Sequence, residues 1–350
     1  MTVDAPAPPI RQLQLLLTER CNLGCTHCAV PAEESVAQGE LSTGEWRDFI
    51  DVALAGGIDR FVFSGGEALL RPDCLELTAW ALRAGAAQVV LVTNGTALSA
   101  AVCSDLAELQ RSASHLHVHI SIDGAGPPSH DLIRGSGTFV RSVRGAERLL
   151  AAGGRVDAVH TVLHKANVDE LDELERLARR WGARTWTVFP LAALGRGRHL
   201  DDQRLKQAEW EHVLATLARR GDQRFEIAVM GPTIGDEWTR VDLIPRARSR
   251  HARQAVVGPD GAVFTCPPLR STGLGLARDV AASGEWAPVS AAVSRQLTVH
   301  CPTCRFRPLC TGVDPDQLEP APSSGPVHQN EDTSVPIRLI GREQRIVTPT

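Results

Sequence analysis

Tyrosine is absent from the 350 residues and methionine occurs twice. These scarcities fit a chain rich in Ala, Arg and Gly and point to no function. No apolar stretch approaches the roughly 20 residues that span a bilayer. No Lys/Arg run forms a basic stripe, and the net charge is −4. Neither a membrane nor a nucleic acid is therefore expected as a partner. Residues Met1–Pro9 lack the basic-then-apolar order of a signal peptide, so the chain is expected in the cytoplasm. In that reducing compartment the nine cysteines are metal ligands or catalytic groups rather than disulfides.

Short β-rich runs alternate with amphipathic ones. Strands are expected over Gln12–Leu17, Arg60–Phe63, Gln88–Val92, His115–Ile122, Arg155–Val162 and Thr185–Phe189. Helices are expected over Thr43–Ala55, Pro72–Ala84, Ser99–Arg111, Thr138–Ala152, Val168–Trp181 and about Asp202–Arg220. Ser42 followed three residues on by Glu45 is a helix-start signature. Six βα units predict an α/β fold with a parallel sheet: a partial (β/α)6 TIM-like barrel, with a flat doubly wound sheet as the alternative. Beyond Gly221 the pattern breaks up. Phe225–Met230 has strand character, Gln254–Cys266 reads as a hairpin around Pro259-Asp260-Gly261, and Ser334–Val347 is expected to dock back on the body. The expected division is a flexible N-terminus (1–10), the barrel (11–222), a cysteine-rich extension (223–312) and a partly disordered tail (313–350).

Cys21, Cys25 and Cys28 follow the first strand within eight residues. Three thiolates in that space suit an iron–sulfur cube and leave one iron open, whereas four would close it. A zinc knuckle completed by His27 or a distant residue is the alternative. Other chemistry-bearing motifs also fall at strand ends, where (β/α) barrels collect their sites. Ser64-Gly65-Gly66-Glu67 follows the second strand and Thr93-Asn94-Gly95 the third. Ser121-Ile122-Asp123-Gly124 closes the fourth, and Leu194-Gly195-Arg196-Gly197 follows the sixth. Cys74 and Cys103 sit in helix patterns and read as buried, inert thiols, although Cys74 lies near enough to the rim for a hydrogen-donor role to be conceivable.

Cys21-Asn-Leu-Gly-Cys25-Thr-His-Cys28 together with Gly65-Gly66-Glu67 resembles the radical SAM superfamily. The resemblance implies that the three cysteines hold a [4Fe-4S] cluster whose open iron is chelated by S-adenosylmethionine (SAM). It implies reductive cleavage of SAM to a 5′-deoxyadenosyl radical, fed by a donor such as flavodoxin or ferredoxin. Gly65, Gly66 and Glu67 would then lie at the SAM amino group, Ser121 and Asp123 at the ribose hydroxyls, and Arg134 at the SAM carboxylate. Asn94 would also lie at the cofactor, though an ordinary Asn-Gly turn explains it equally. For Arg134 a surface arginine is the weaker alternative. Asn167 resembles a polar residue near the fifth strand that often faces SAM, and helix capping explains it equally.

Gly261-x4-Cys266 and Cys301-x2-Cys304-x5-Cys310 resemble part of the SPASM/Twitch extension, which implies auxiliary clusters. The cysteine that precedes the glycine in the full pattern is missing, and none follows Cys310. One auxiliary [4Fe-4S] cluster on Cys266, Cys301, Cys304 and Cys310 is expected, with His251, His300 or a zinc site as alternatives. Pro267 and Pro268 after Cys266 speak against formylglycine formation. The family implies a precursor peptide or a small molecule, such as a tetrapyrrole or an aminoglycoside, as substrate. A non-catalytic zinc-binding protein would leave the glycine, Ser121–Asp123 and Arg134 motifs as coincidences. No catalytic acid or base can be named.

Overall fold

The computed structural model describes residues 10–29, 39–192, 195–217, 219–220, 222, 224–229, 254–264, 274–293, 336–339 and 342–345. Cys266, Cys301, Cys304, Cys310, His251, His300 and Leu194 lie outside them.

Strands β1 (Gln12–Leu16), β2 (Arg60–Ser64), β3 (Gln88–Thr93), β4 (Leu116–Ser121), β5 (Ala158–Leu163), β6 (Thr185–Pro190) and β7 (Glu226–Val229) lie side by side in sequence order. Every neighbouring pair among them is parallel. A doubly wound sheet reverses its strand order at a switch point within its βα units. From β1 to β7 the order never reverses, as in a partial barrel. The crossovers carry α1 (Thr43–Ala55), α2 (Cys74–Arg83), α3 (Ala100–Ser112), α4 (Pro127–Arg134), α5 (Thr138–Ala151), α6 (Leu171–Arg180) and α7 (Gln207–Leu217).

Local chemistry sets the helix ends. Ser42 accepts from the Glu45 amide while Glu45 returns a bond to the Ser42 backbone, closing the expected capping box. The sequence pattern gave no element between Asp123 and Thr138, yet α4 forms there. Its two prolines occupy the first positions, where no amide hydrogen is needed. α7 begins later than expected, because Asp201–Gln203 forms a separate 3-10 turn.

Helices cover the outer face of the sheet. Leu13, Leu15, Phe61, Phe63, Val118 and Trp186 point there, fully buried against residues such as Trp46, Phe49 and Leu174. Truncating Phe61 or Phe63 in such a core costs about 3–5 kcal/mol. The alternate residues of β4, His117, His119 and Ser121, are only half-buried, which marks the concave inner face.

The sheet also runs past the boundary expected at residue 222. β7 extends one edge, and on the other β8 (Gln254–Val257) pairs parallel with β1. β9 (Val263–Phe264) returns antiparallel to β8 through the Pro259–Gly261 turn, with Gly261 at φ +86°. Helix α8 (Ala277–Ser283) packs on α1, where Arg278 Nε reaches Glu45 at 2.5 Å and Trp286 meets Phe49 edge-on at 6.0 Å. A separate hairpin, β10 (Pro336–Leu339) with β11 (Arg342–Arg345), lies beside β7. Among the described residues no helix is long and apolar enough to cross a membrane.

Candidate cluster and cofactor site at the strand ends

β1 delivers the chain into the cysteine loop, and its neighbours fix the loop by backbone contacts. The Gly66 amide donates to Thr18 O at 2.7 Å and the Glu67 amide to Arg20 O at 2.8 Å. Gly65 has φ +137°, and a Cβ there would strike Thr18 O. A Cβ on Gly66 would lie 2.6 Å from both the Arg20 carbonyl carbon and Glu19 O. The glycine pair is therefore bare because the loop backbone presses against it, whereas the sequence suggested close approach of a ligand.

From the opposite side, Arg196 donates from its amide to Cys28 O at 2.9 Å and from Nε to Cys25 O at 2.8 Å. Gly195, at φ +51°, leaves no room for a side chain beside Cys28 O. Thr26 donates its amide to Ile133 O at 2.8 Å, which ties the loop to α4. Three strand ends and one helix thus hold eight residues of chain.

Inside this clamp the three thiols share one pocket. Cys21 and Cys25 are buried with Leu23, and the more exposed Cys28 packs against them. Burial pushes the Cys21 thiol up to about 11, reinforced by Glu67 and the other two cysteines. Metal coordination overrides such a shift and deprotonates the thiol outright. Among the described residues no three His, Cys, Asp or Glu side chains close on a single metal ion. Three soft thiol donors gathered in one pocket suit an iron–sulfur cluster.

Glu67 and Asn94 brace this pocket from the side. The Glu67 carboxylate, 1 % exposed, accepts from Thr93 Oγ1 at 2.8 Å and the Asn94 amide at 2.7 Å, locking the ends of β2 and β3 together. Burial raises its pKa against those bonds. Asn94 Nδ2 donates to Asn22 Oδ1 at 3.0 Å, and Asn94 Oδ1 accepts from the Thr96 amide at 2.8 Å. Asn22 follows Cys21, so Asn94 is both a turn residue and an anchor for the loop.

Asp123 is fully buried and both its oxygens are engaged. Oδ1 accepts from the Val162 amide at 2.7 Å and Oδ2 from Arg134 Nε at 2.5 Å, with His27 Nε2 at 3.4 Å. Burial opposes its charge, but Arg134 and the nearby histidines hold the carboxyl well below the usual range. Asp123 therefore sits beneath Arg134 as a brace and is not the open ribose acceptor expected from the sequence. Arg134 is buried rather than a surface residue. With Nε on Asp123, its terminal amino groups bond to no described residue, and its charge is felt at Cys25 and Cys28. A guanidinium fixed at one edge and open at the other suits a carboxylate. Ser121, at the end of β4, is half-buried with no side-chain partner among the described residues. Asn167, fully buried, donates to Asp123 O and Val162 O, each at 2.9 Å, and makes no side-chain cap bond to the 3-10 turn it precedes.

Sequence reasoning named His27 as a possible zinc ligand and missed His130 and His164 around this pair. The Asp123 amide donates to His130 Nδ1 at 3.2 Å. His27 Nδ1 and His130 Nε2 are buried without a partner among the described residues, and the buried His164 ring lies against the Asp123 backbone. Burial pushes His27 and His130 down to about 4, so both are neutral imidazoles. Cys74 and Cys103 are buried free thiols in the helix layer.

Comparison with known proteins agrees with this geometry. Residues 15–178 match the model of the radical SAM superfamily. The chain is 38% identical over 199 residues to the AdoMet-dependent heme synthase of Methanosarcina barkeri, covering 57% of this chain and 55% of that one. It is 31% identical over 258 residues to the mycofactocin maturase MftC of Mycobacterium tuberculosis, covering 72% and 63%. Against the PqqA peptide cyclase of Streptomyces rochei it is 36% identical over 181 residues, covering 52% and 47%. The chain thus spans about half to two thirds of these relatives. Among solved structures, Streptococcus suis SuiB bound to precursor peptide SuiA superposes with a TM-score of 0.63 at 14% identity, over 86% of this chain and 71% of that one, which shows the fold alone. The matched segment runs from β1 to α6 and contains the whole clamped cysteine loop, and the chain belongs to the radical SAM superfamily.

Proposed function

We propose that this chain is a radical SAM enzyme acting on a ribosomally made precursor peptide. The observation that carries the first half is the three-thiol pocket opening beside the free edge of Arg134. In this reading Cys21, Cys25 and Cys28 hold a [4Fe-4S] cluster, Arg134 binds the SAM carboxylate and Ser121 a ribose hydroxyl. Gly65, Gly66, Glu67, Asn94 and Asp123 position those groups without needing to touch the cofactor. Bound there, the cluster and SAM supply a 5′-deoxyadenosyl radical that takes a hydrogen atom from the substrate. The chain keeps the loop rigid, fixes Arg134 by a buried ion pair and excludes water with the neutral histidines around it.

The peptide half rests on MftC, whose alignment covers 72% of the chain and so extends well beyond the barrel segment. A tetrapyrrole substrate is the second reading, favoured by the 38% identity to the heme synthase over 199 residues. The proposal includes one auxiliary cluster on Cys266, Cys301, Cys304 and Cys310, supported by their spacing alone. It also includes a reducing, cytoplasmic setting and a low-potential donor such as flavodoxin or ferredoxin.

The test is anaerobic. The reconstituted chain is incubated with dithionite, SAM and a synthetic peptide taken from a short reading frame beside the gene. Formation of 5′-deoxyadenosine with a mass change in the peptide is expected. Colourless, zinc-loaded protein would reject the reading, and a mass change on a porphyrin precursor instead would select the tetrapyrrole.

A further inference from the structure

Below Ser121, the inner face of β4–β6 carries groups that the cofactor site does not use. His117 and His119 project from β4, His160 and Val162 from β5, and Thr187 and Phe189 from β6. His119 Nδ1 lies 3.0 Å from His160 Nε2, with the rings edge-on at 75°. Phe189 backs His160 at 5.2 Å between ring centres. The strand register sets His160 beside Ser121, directly below the rim. The titratable and charged groups that act on the pair are His117 on β4, Asp123 at its end and Arg134 from α4.

A nitrogen–nitrogen contact of this length requires one ring to donate and the other to accept. Each neutral imidazole has one proton. If His119 Nδ1 donates, His119 Nε2 is bare and His160 Nδ1 carries hydrogen; the reverse tautomer exchanges these roles. In both cases the outer nitrogens present one acceptor and one donor, and neither bonds to a described residue. Burial keeps both rings neutral, His160 at about 4 and His119 well below the ordinary value.

We propose that His119 and His160 form a proton relay on the wall facing the substrate, taking a proton from a neutral hydrogen-bonding group such as an amide or hydroxyl. The bare outer nitrogen accepts the substrate proton, the shared proton crosses to the partner ring, and that ring releases its outer proton to solvent. Two N–H bonds form and two break, and no electrons are transferred. The substrate's place rests on the function proposed above, whereas the pair itself does not.

Long-range 1H–15N spectra of the full chain at pH 7 test the pair. One protonated and one bare nitrogen per ring are expected, with nitrogen–nitrogen coupling across the bond that is lost in H119N and in H160Q. A charged ring, or two uncoupled rings, would overturn it. Diethyl pyrocarbonate should acylate an outer nitrogen of the pair, and unmodified rings would refute its facing open space. The double variant H119N/H160Q sets two amides where the bonded nitrogens were, keeping a hydrogen bond but no relay. Turnover of the synthetic peptide should fall about 100-fold in the double variant, as expected for lost proton transfer; wild-type turnover there would show a structural role only. SAM cleavage by the wild type is measured in parallel, since its absence rejects the proposed function while the spectra still decide whether the bonded pair exists.

Discussion

Replacing Gly66 by alanine perturbs the cysteine loop without touching a cysteine. The new Cβ would lie 2.6 Å from the Arg20 carbonyl carbon and from Glu19 O, inside the 3.0 Å that real Cβ atoms keep. Arg20 O lies closer still and the obstacle is backbone, so the loop must retreat by more than about 0.4 Å, the difference between those two distances. The bonds from Gly66 to Thr18 O and from Glu67 to Arg20 O, now 2.7 and 2.8 Å, then stretch to the edge of the normal range. Weakening two such bonds costs up to about 1 kcal/mol each, and overpacking adds about 1–3 kcal/mol. A destabilisation of about 3 kcal/mol is expected, with Cys21 displaced along with its neighbour Arg20. Urea unfolding reads the first effect and iron content after anaerobic reconstitution the second. A G66A chain with the wild-type midpoint and iron content would refute the argument that these glycines exist to seat the loop.

Asp123→Asn leaves Arg134 over a neutral amide that cannot accept from both Val162 N–H and the guanidinium. Breaking a buried pair of this kind costs about 3–5 kcal/mol, and SAM affinity measured by calorimetry should drop at least about tenfold; unchanged affinity would detach Arg134 from SAM binding. Acid should also unfold the chain before its carboxylates titrate. His130 and His160 have pKa values of about 4 in the folded chain, against about 6.5 unfolded. The unfolded state therefore binds more protons between those values, and stability falls as pH drops through that window. From pH 7 to pH 5 the loss is up to about 2 kcal/mol per histidine. Urea midpoints at pH 7, 6 and 5 check it, and a flat series would contradict neutral burial of these rings.

Much of this architecture was legible because its causes are local. The six strands and the capped start of α1 follow from periodicity and from Ser42 with Glu45. The partial barrel follows from strict βα alternation, and strand order settled it against the doubly wound form. The motif residues did meet on one rim, but their individual duties were not readable. Gly65 and Gly66 face backbone, Glu67 and Asn94 hold strand ends, and Asp123 lies under Arg134. Each of those duties depends on atoms 11 to 72 residues away in the chain, as in Arg134–Asp123 and Asn94–Asn22. The inner-face histidines left a signal in Leu116-His-Val-His-Ile-Ser121, where polar residues alternate at strand period, yet only β5 beside β4 reveals the pair.

The central claim is that Cys21, Cys25 and Cys28 grip a cluster with one corner open to SAM beside Arg134. Electron paramagnetic resonance of the reduced, reconstituted chain during a SAM titration tests it most directly. A cluster signal that shifts as SAM binds, and that is missing from C25A, is the predicted result. A spectrum indifferent to SAM, or one that responds equally in C25A, would contradict the account.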